Sequence, residues 1–166
     1  YEIDRRHSGT PAVRAEPVSA PECALLLREY MTEMAARYWN RQVSPAEVDR
    51  ALAEMPGEDL APPSGLFLVL RIGERAAGCT GLKVIDAGTV ELKRMYVRSE
   101  YRGVGNGGRL LRAAEAHAKG MHAHVLRLDT RDDLVEARAL YAAHGFTEVT
   151  PFGESRYSDH WYAKTL

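Results

Sequence analysis

The sequence predicts an α+β chain built on a mixed, mostly antiparallel sheet with helices on both faces. Three observations carry this. Two amphipathic helical segments open the chain, three apolar strands joined by very short links follow, and after residue 105 helices and strands alternate. Links of two or three residues force antiparallel neighbours, whereas a helix between two strands permits a parallel pair.

The first helix is read in "VSAPECALLLREYMTEMAARYW", where Ser19 and Glu22 stand at capping-box spacing and Leu27, Met31, Met34 and Tyr38 share a stripe. "SPAEVDRALAEM" repeats the pattern with Ser44 as N-cap, Pro45 at the first helical position and Glu47 closing the box. "GEDLAPPSG" breaks the chain. The strands "GLFLVLRI", "AAGCTGLKVI" and "TVELKRMYV" follow, linked by "GE" and "DAG". "GRLLRAAEAHAKG" reads as a helix, "HVLRLDT" as a strand, and "LVEARALYAAHG" as a helix ending at a glycine suited to a left-handed cap. "FTEVTPF" and "RYSDHWYAKTL" read as closing strands. The polar stretch 1–10 is expected to be a loose arm and 11–166 one domain.

Composition narrows the partners. A net charge of −1 gives no overall pull toward nucleic acid or an anionic membrane. No apolar run reaches the roughly 18 residues that a membrane-spanning helix needs. The two cysteines, Cys23 and Cys79, show no C-x-x-C spacing, so a reducing, cytoplasmic setting is the simpler expectation. His122 and His124 alternate along one face with His117 nearby, but no cysteine or H-x-x-x-H spacing completes a ligand set, and no metal is expected.

The most informative stretch is "YRGVGNGG", residues 101–108, between a strand and a helix. Gly103, Gly105 and Gly108 fit G-x-G-x-x-G, and Asp129 stands about 20 residues on, where a dinucleotide fold wants a ribose-binding acid. The context argues against that reading. A charged spacer separates the strand from the first glycine, and too little chain follows Asp129 for the rest of a doubly wound sheet. A P-loop is excluded because no G-K-[ST] follows. Two readings stay open: a glycine-rich turn with no ligand, or an anion site, since main-chain N–H groups at a helix N-terminus, stripped of side chains, attract a diphosphate. Arg102 and Arg109 flank it.

Taken as Arg-x-x-Gly-x-Gly, Arg102, Gly105 and Gly107 resemble the acetyl-CoA diphosphate loop of the GCN5-related N-acetyltransferase (GNAT) superfamily. "ARALYAAHGF" resembles that family's second hallmark, and the element order matches over most of residues 11–166. The resemblance implies an acyl-CoA N-acyltransferase fold and transfer of acetyl from acetyl-CoA to a primary amine, by direct attack in a ternary complex. It implies that Arg102, Gly103, Val104, Gly105, Asn106, Gly107, Gly108 and Arg109 surround the diphosphate. Met95, Tyr96 and Val97 would offer a splayed strand edge to the pantetheine arm, in the manner of β-augmentation. Tyr141 falls at the position of the acid that protonates the leaving thiolate, and a phenol is protonated at neutral pH. As a plain helix-stripe residue it could equally be a core aromatic.

The base is less clearly marked. Glu91 is the sole acid of its strand, and it serves either as base or in a structural salt bridge; Lys93 stands where several relatives carry a carboxylate. Glu47, Asp49, Glu54, Glu58 and Asp59 outnumber Arg41 and Arg50 beside the expected acceptor site. Such an acidic lip favours a cationic small molecule, although a solvated helix face explains it too. A homodimer is in keeping with similar proteins. The competing classes are a non-catalytic acetyl-CoA-binding module and, further off, an NAD(P)-dependent oxidoreductase.

Overall fold

A computed structural model describes residues 9–153 and 156–166. In chain order the elements are β1 (Pro11–Ala15), α1 (Pro21–Trp39), α2 (Pro45–Glu54), β2 (Gly65–Ile72), β3 (Arg75–Val84), β4 (Thr89–Val97), a short 3-10 turn (Ser99–Tyr101), α3 (Asn106–Gly120), β5 (Val125–Thr130), α4 (Val135–Ala143), β6 (Thr147–Glu148) and β7 (His160–Thr165). The strands form one sheet in the order β1-β2-β3-β4-β5-β7-β6. All neighbours are antiparallel except β4 and β5, whose connection runs through α3.

Strand β2 is covered on both faces, which is why it reads as a continuous apolar run. Phe67 and Val69 pack with Cys79, Cys23 and Leu26 on the α1 face. Leu68 packs on the other face with Leu82, Val90, Leu92 and the α3 residues Leu111, Ala114 and Ala118. Each fully buried leucine contributes about 2 kcal/mol. Tyr141 and Phe146, at the end of α4, belong to this second cluster.

The expected N-terminal arm falls largely on residues 1–8, outside the described residues. The described part is held: the Thr10 carbonyl accepts from Gly73 N–H at 3.3 Å. β1 then pairs with β2 along its whole length, an element that the sequence reading omits. The first helix also starts later than its Ser19–Glu22 spacing suggests. Ala20 is the N-cap with no side-chain bond, and Pro21 takes the first turn. Ser44 and Glu47, by contrast, form a complete capping box. Of the "FTEVTPF" strand only Thr147–Glu148 pairs, against β7.

Gly65 shows how closely the sheet is assembled. A Cβ there would lie 2.1 Å from the Leu82 carbonyl oxygen and 2.7 Å from that of Asp59, both main-chain atoms that cannot swing aside. Gly65→Ala is expected to cost about 3 kcal/mol of unfolding free energy in urea titrations, with the loss appearing in the midpoint rather than the slope.

Candidate active site

The cavity begins where the sheet opens. β4 and β5 pair only at Thr89↔Val125, Val90↔Leu126 and Glu91↔Arg127. Beyond Glu91 the two strands part, because β5 continues along β7 while β4 stays on β3. The β4 edge from Leu92 to Val97 therefore faces a slot with no strand opposite. The slot widens into a cavity of about 620 Å³, whose walls include α1, the end of α2, the 102–108 loop and α4.

A bulge shapes the β4 wall. The register with β3 passes from Cys79↔Tyr96 to Gly81↔Lys93, so Arg94 and Met95 together stand opposite Thr80. Arg94 takes a left-handed backbone conformation, φ 54°, uncommon for a residue with a side chain. The Thr80 hydroxyl donates to the Lys93 carbonyl at 3.1 Å, holding the bulge from the β3 side. Met95, Tyr96 and Val97 all line the cavity. The Val97 carbonyl is already taken by Arg102 Nε at 2.7 Å, and burial beside Glu29 and Glu33 pushes the Tyr96 phenol up to about 12.

At one end of the slot lies the glycine loop. Gly103 and Gly105 adopt φ 78° and φ 84°, and Gly105 caps α3 in the left-handed region. None of the main-chain N–H groups from Gly103 to Gly108 meets an acceptor among the described residues. Six consecutive donors are thus left free at the positive end of the α3 dipole, and all but Val104 belong to residues that line the cavity. A Cβ at Gly103 would touch nothing within 4 Å, so the ground in front of the loop is open. Asn106 is buried, donating to the Tyr101 carbonyl at 2.9 Å and accepting from Arg109 at 2.8 Å. Gly107 and Gly108 have a second reason to be bare: added methyls would strike Leu140 Cδ2 at 2.8 Å and His144 Nε2 at 3.1 Å, so these two glycines let α3 close on α4.

Tyr141 projects from α4 into the middle of the slot. Its ring packs edge-on against Phe146, with centroids 5.9 Å apart, and tilts against Tyr162. Its hydroxyl has no protein partner among the described residues, and the side chain lines the cavity. Burial, reinforced by Tyr30 and Asp129, raises its pKa well above the usual phenol range, so the proton stays on. Tyr30 on α1, also lining the cavity, is shifted upward by burial in the same way.

The acids sit opposite. Glu91 is buried, 3.7 Å from Arg127 on the neighbouring strand, and still reaches the cavity. Asp129, on β5, accepts from the Ser158 hydroxyl at 2.6 Å and lines the cavity near Tyr141.

The profile of the acetyltransferase (GNAT) family matches residues 28–146. The chain belongs to the GNAT acetyltransferase family. It is 30% identical over 138 residues to an uncharacterized N-acetyltransferase of Schizosaccharomyces pombe, covering 82% of this chain and 81% of that protein. It is 34% identical over 117 residues to the IAA acetyltransferase of Azospirillum brasilense, covering 64% and 76%. Among solved structures, a GNAT acetyltransferase from Staphylococcus aureus superposes with a TM-score of 0.75 at 20% identity, over 95% of this chain and 99% of that one. The Thermoplasma acidophilum PaiA N-acetyltransferase, crystallised with coenzyme A, gives 0.73 at 21% identity over 95% and 99%. The chain is thus a GNAT-type acyltransferase with the acyl-CoA N-acyltransferase fold.

Every residue that the sequence singles out as a site candidate except Val104 and Arg109 lines the GNAT cavity. Val104 is exposed on the loop, and Arg109 turns back to Asn106 and the Val104 carbonyl. Arg102 is engaged as well, bridging to both Glu33 carboxylate oxygens at 2.9 Å and lying over the Tyr96 ring. Tyr30 and Asp129 are members of the cavity that the sequence reading passes over or reads for another fold. The only signal for Asp129 is its place on the strand just after the expected slot. Cys79 is an inert core residue, its thiol driven up by burial. No helix among the described residues is long and apolar enough to cross a membrane, and no three metal-ligating side chains among them converge.

Proposed function

We propose that the chain transfers an acetyl group from acetyl-CoA to the primary amine of a small molecule by direct attack in a ternary complex. The observation that carries this reading is that a glycine loop with free main-chain N–H groups, an unpaired strand edge and an unpartnered buried phenol all line one cavity. The donors of Gly103–Gly108 suit a diphosphate, and the edge at Met95 and Tyr96 suits the amides of a pantetheine arm. Acetyl-CoA would supply an activated thioester. Tyr141 holds a proton at the point where a thiolate leaves, and Glu91 and Asp129 stand ready to accept the amine's proton directly or through water. As the amine nitrogen bonds to the carbonyl carbon, the carbon–sulfur bond breaks, one proton passes to a carboxylate and another leaves the phenol for sulfur.

Support comes from the family and from neighbours crystallised with acetyl-CoA or coenzyme A. The IAA acetyltransferase relative, by its name, acts on a small molecule. Calorimetry with acetyl-CoA and NADPH side by side tests the reading: heat is expected for the first and none for the second. Release of free thiol on adding an amine then separates an enzyme from a module that only binds. Absence of heat with acetyl-CoA would overturn the reading.

A further inference from the structure

The acceptor half of the cavity carries a charge arrangement that acetyl transfer by itself does not require. Most of its acids are engaged. Glu33 holds Arg102, Glu136 holds Arg37, and Glu91 leans on Arg127. Three of the five acids of the lip around α2 are paired too: Glu47 with Arg41, Asp49 with Arg28, and Asp59 with Lys83. Glu54, exposed at the rim, is the acid left without a partner among the described cavity residues.

The cations divide differently. Arg131 is matched by Asp133, as Arg37 and Arg102 are by their glutamates. Lys93 and Arg94 form no ion pair, although the Arg94 charge reaches Asp59 and helps Lys83 hold that carboxyl low. The Lys93 ammonium makes no hydrogen bond or ion pair with any described residue, and the Arg94 guanidinium meets only the Met55 carbonyl, at 2.9 Å. Both line the cavity and both are half-buried. In a regular strand adjacent residues point to opposite faces; the bulge and the φ of 54° at Arg94 break that alternation, and both residues line the same cavity. A partly desolvated cation without a counter-ion is costly, and an anionic ligand group removes that cost.

Aromatic and thioether groups furnish the remaining wall. Tyr30, Met34, Tyr38, Trp39, Met55 and Tyr157 surround the space beyond the cations. Tyr38 packs edge-on against both Trp39 and Tyr157, with centroids 5.0 Å apart. Lys93 stands two residues from Glu91, about 7 Å along the strand, and its flexible stem brings a carboxylate and an amine of one small molecule within reach of both groups.

Building on the acetyl-transfer reading, we propose that the acceptor is an α-amino acid with an apolar or aromatic side chain. Its carboxylate is received by Lys93 and Arg94, its amine faces Glu91 and Asp129, and its side chain lies against the aromatic wall. Polycationic acceptors meet the like charges of Lys93 and Arg94 and are disfavoured.

A dead-end complex tests this without turnover. The chain is first titrated with CoA and then, saturated with it, with L-phenylalanine, L-tryptophan and L-methionine, and with phenethylamine, tryptamine and 3-(methylthio)propylamine. At least one amino acid is expected to bind tenfold or more tightly than its decarboxylated analogue. Lys93→Met and Arg94→Gln, each checked for folding by circular dichroism, are expected to remove most of that preference while CoA affinity is unchanged. The proposal is overturned if no amino acid binds, if the amines bind as well, or if the preference survives both substitutions. Failure of the initial CoA titration sinks the acetyl-transfer reading and this proposal with it; CoA binding without a carboxylate preference sinks this proposal alone.

Discussion

Tyr141→Phe is expected to lower kcat by about 10²–10⁴-fold, the usual worth of a positioned general acid, with the dissociation constant for acetyl-CoA unchanged within twofold. The substitution removes one oxygen from a hydroxyl that has no protein partner among the described residues, and leaves the ring contacts with Phe146 and Tyr162 in place. The melting temperature should therefore hold. The upward pKa shift does not disqualify the phenol as a donor. The slot that disfavours a phenolate disfavours a leaving thiolate as well, so the proton still gains by moving to sulfur. Since the group loses its proton only above its raised pKa, the rate should show no alkaline decline from Tyr141 up to about pH 10. Thiol-release kinetics and calorimetry read the two constants separately. An unchanged kcat would return Tyr141 to the role of a core aromatic.

Much of this site could be read from the sequence because the chemistry is local there. The 102–108 loop is a contiguous stretch whose glycines report backbone conformation directly, and β4 ends in the structure at the same residue, Val97, where its apolar pattern stops. What escaped was non-local. β1 has only Val13 turned toward the core, so it carries no alternation; it exists because β2 offers an edge. Asp129 and Tyr30 lie on different elements and meet only because β4 and β5 part after Glu91. The acidic lip shows the same limit: charge along the chain is visible in sequence, whereas the pairing of Asp49, Glu47 and Asp59 with Arg28, Arg41 and Lys83, from α1, the segment after it and β3, is not. The bulge that aims Lys93 and Arg94 together also has no mark in the residue types, since arginine is not a residue that favours φ of 54°.

The loop glycines should divide into two classes when tested. Gly103→Ala/Gly105→Ala is expected to weaken acetyl-CoA binding by about 10²–10⁴-fold, because the two methyls hold a charged diphosphate off two main-chain donors worth about 1.5–3 kcal/mol each. The fold should tolerate the change. A methyl at Gly103 meets nothing within 4 Å, and one at Gly105 meets only Arg109 Nη1 at 3.8 Å, leaving the left-handed backbone cost of about 1–2 kcal/mol per site. That is a minor part of the 5–15 kcal/mol typical of a domain. Gly107→Ala should behave in the opposite way. Its methyl points at Leu140 Cδ2 on α4, 2.8 Å away, so the Leu140 side chain must turn aside and repack and the melting temperature should fall by a few degrees, while the N–H of residue 107 remains and acetyl-CoA affinity changes only a few-fold. Calorimetry beside thermal unfolding distinguishes the two. If the double variant bound acetyl-CoA as tightly as the parent chain, the free donors of Gly103 and Gly105 would not be what holds the diphosphate, and the bare loop would be a packing feature throughout.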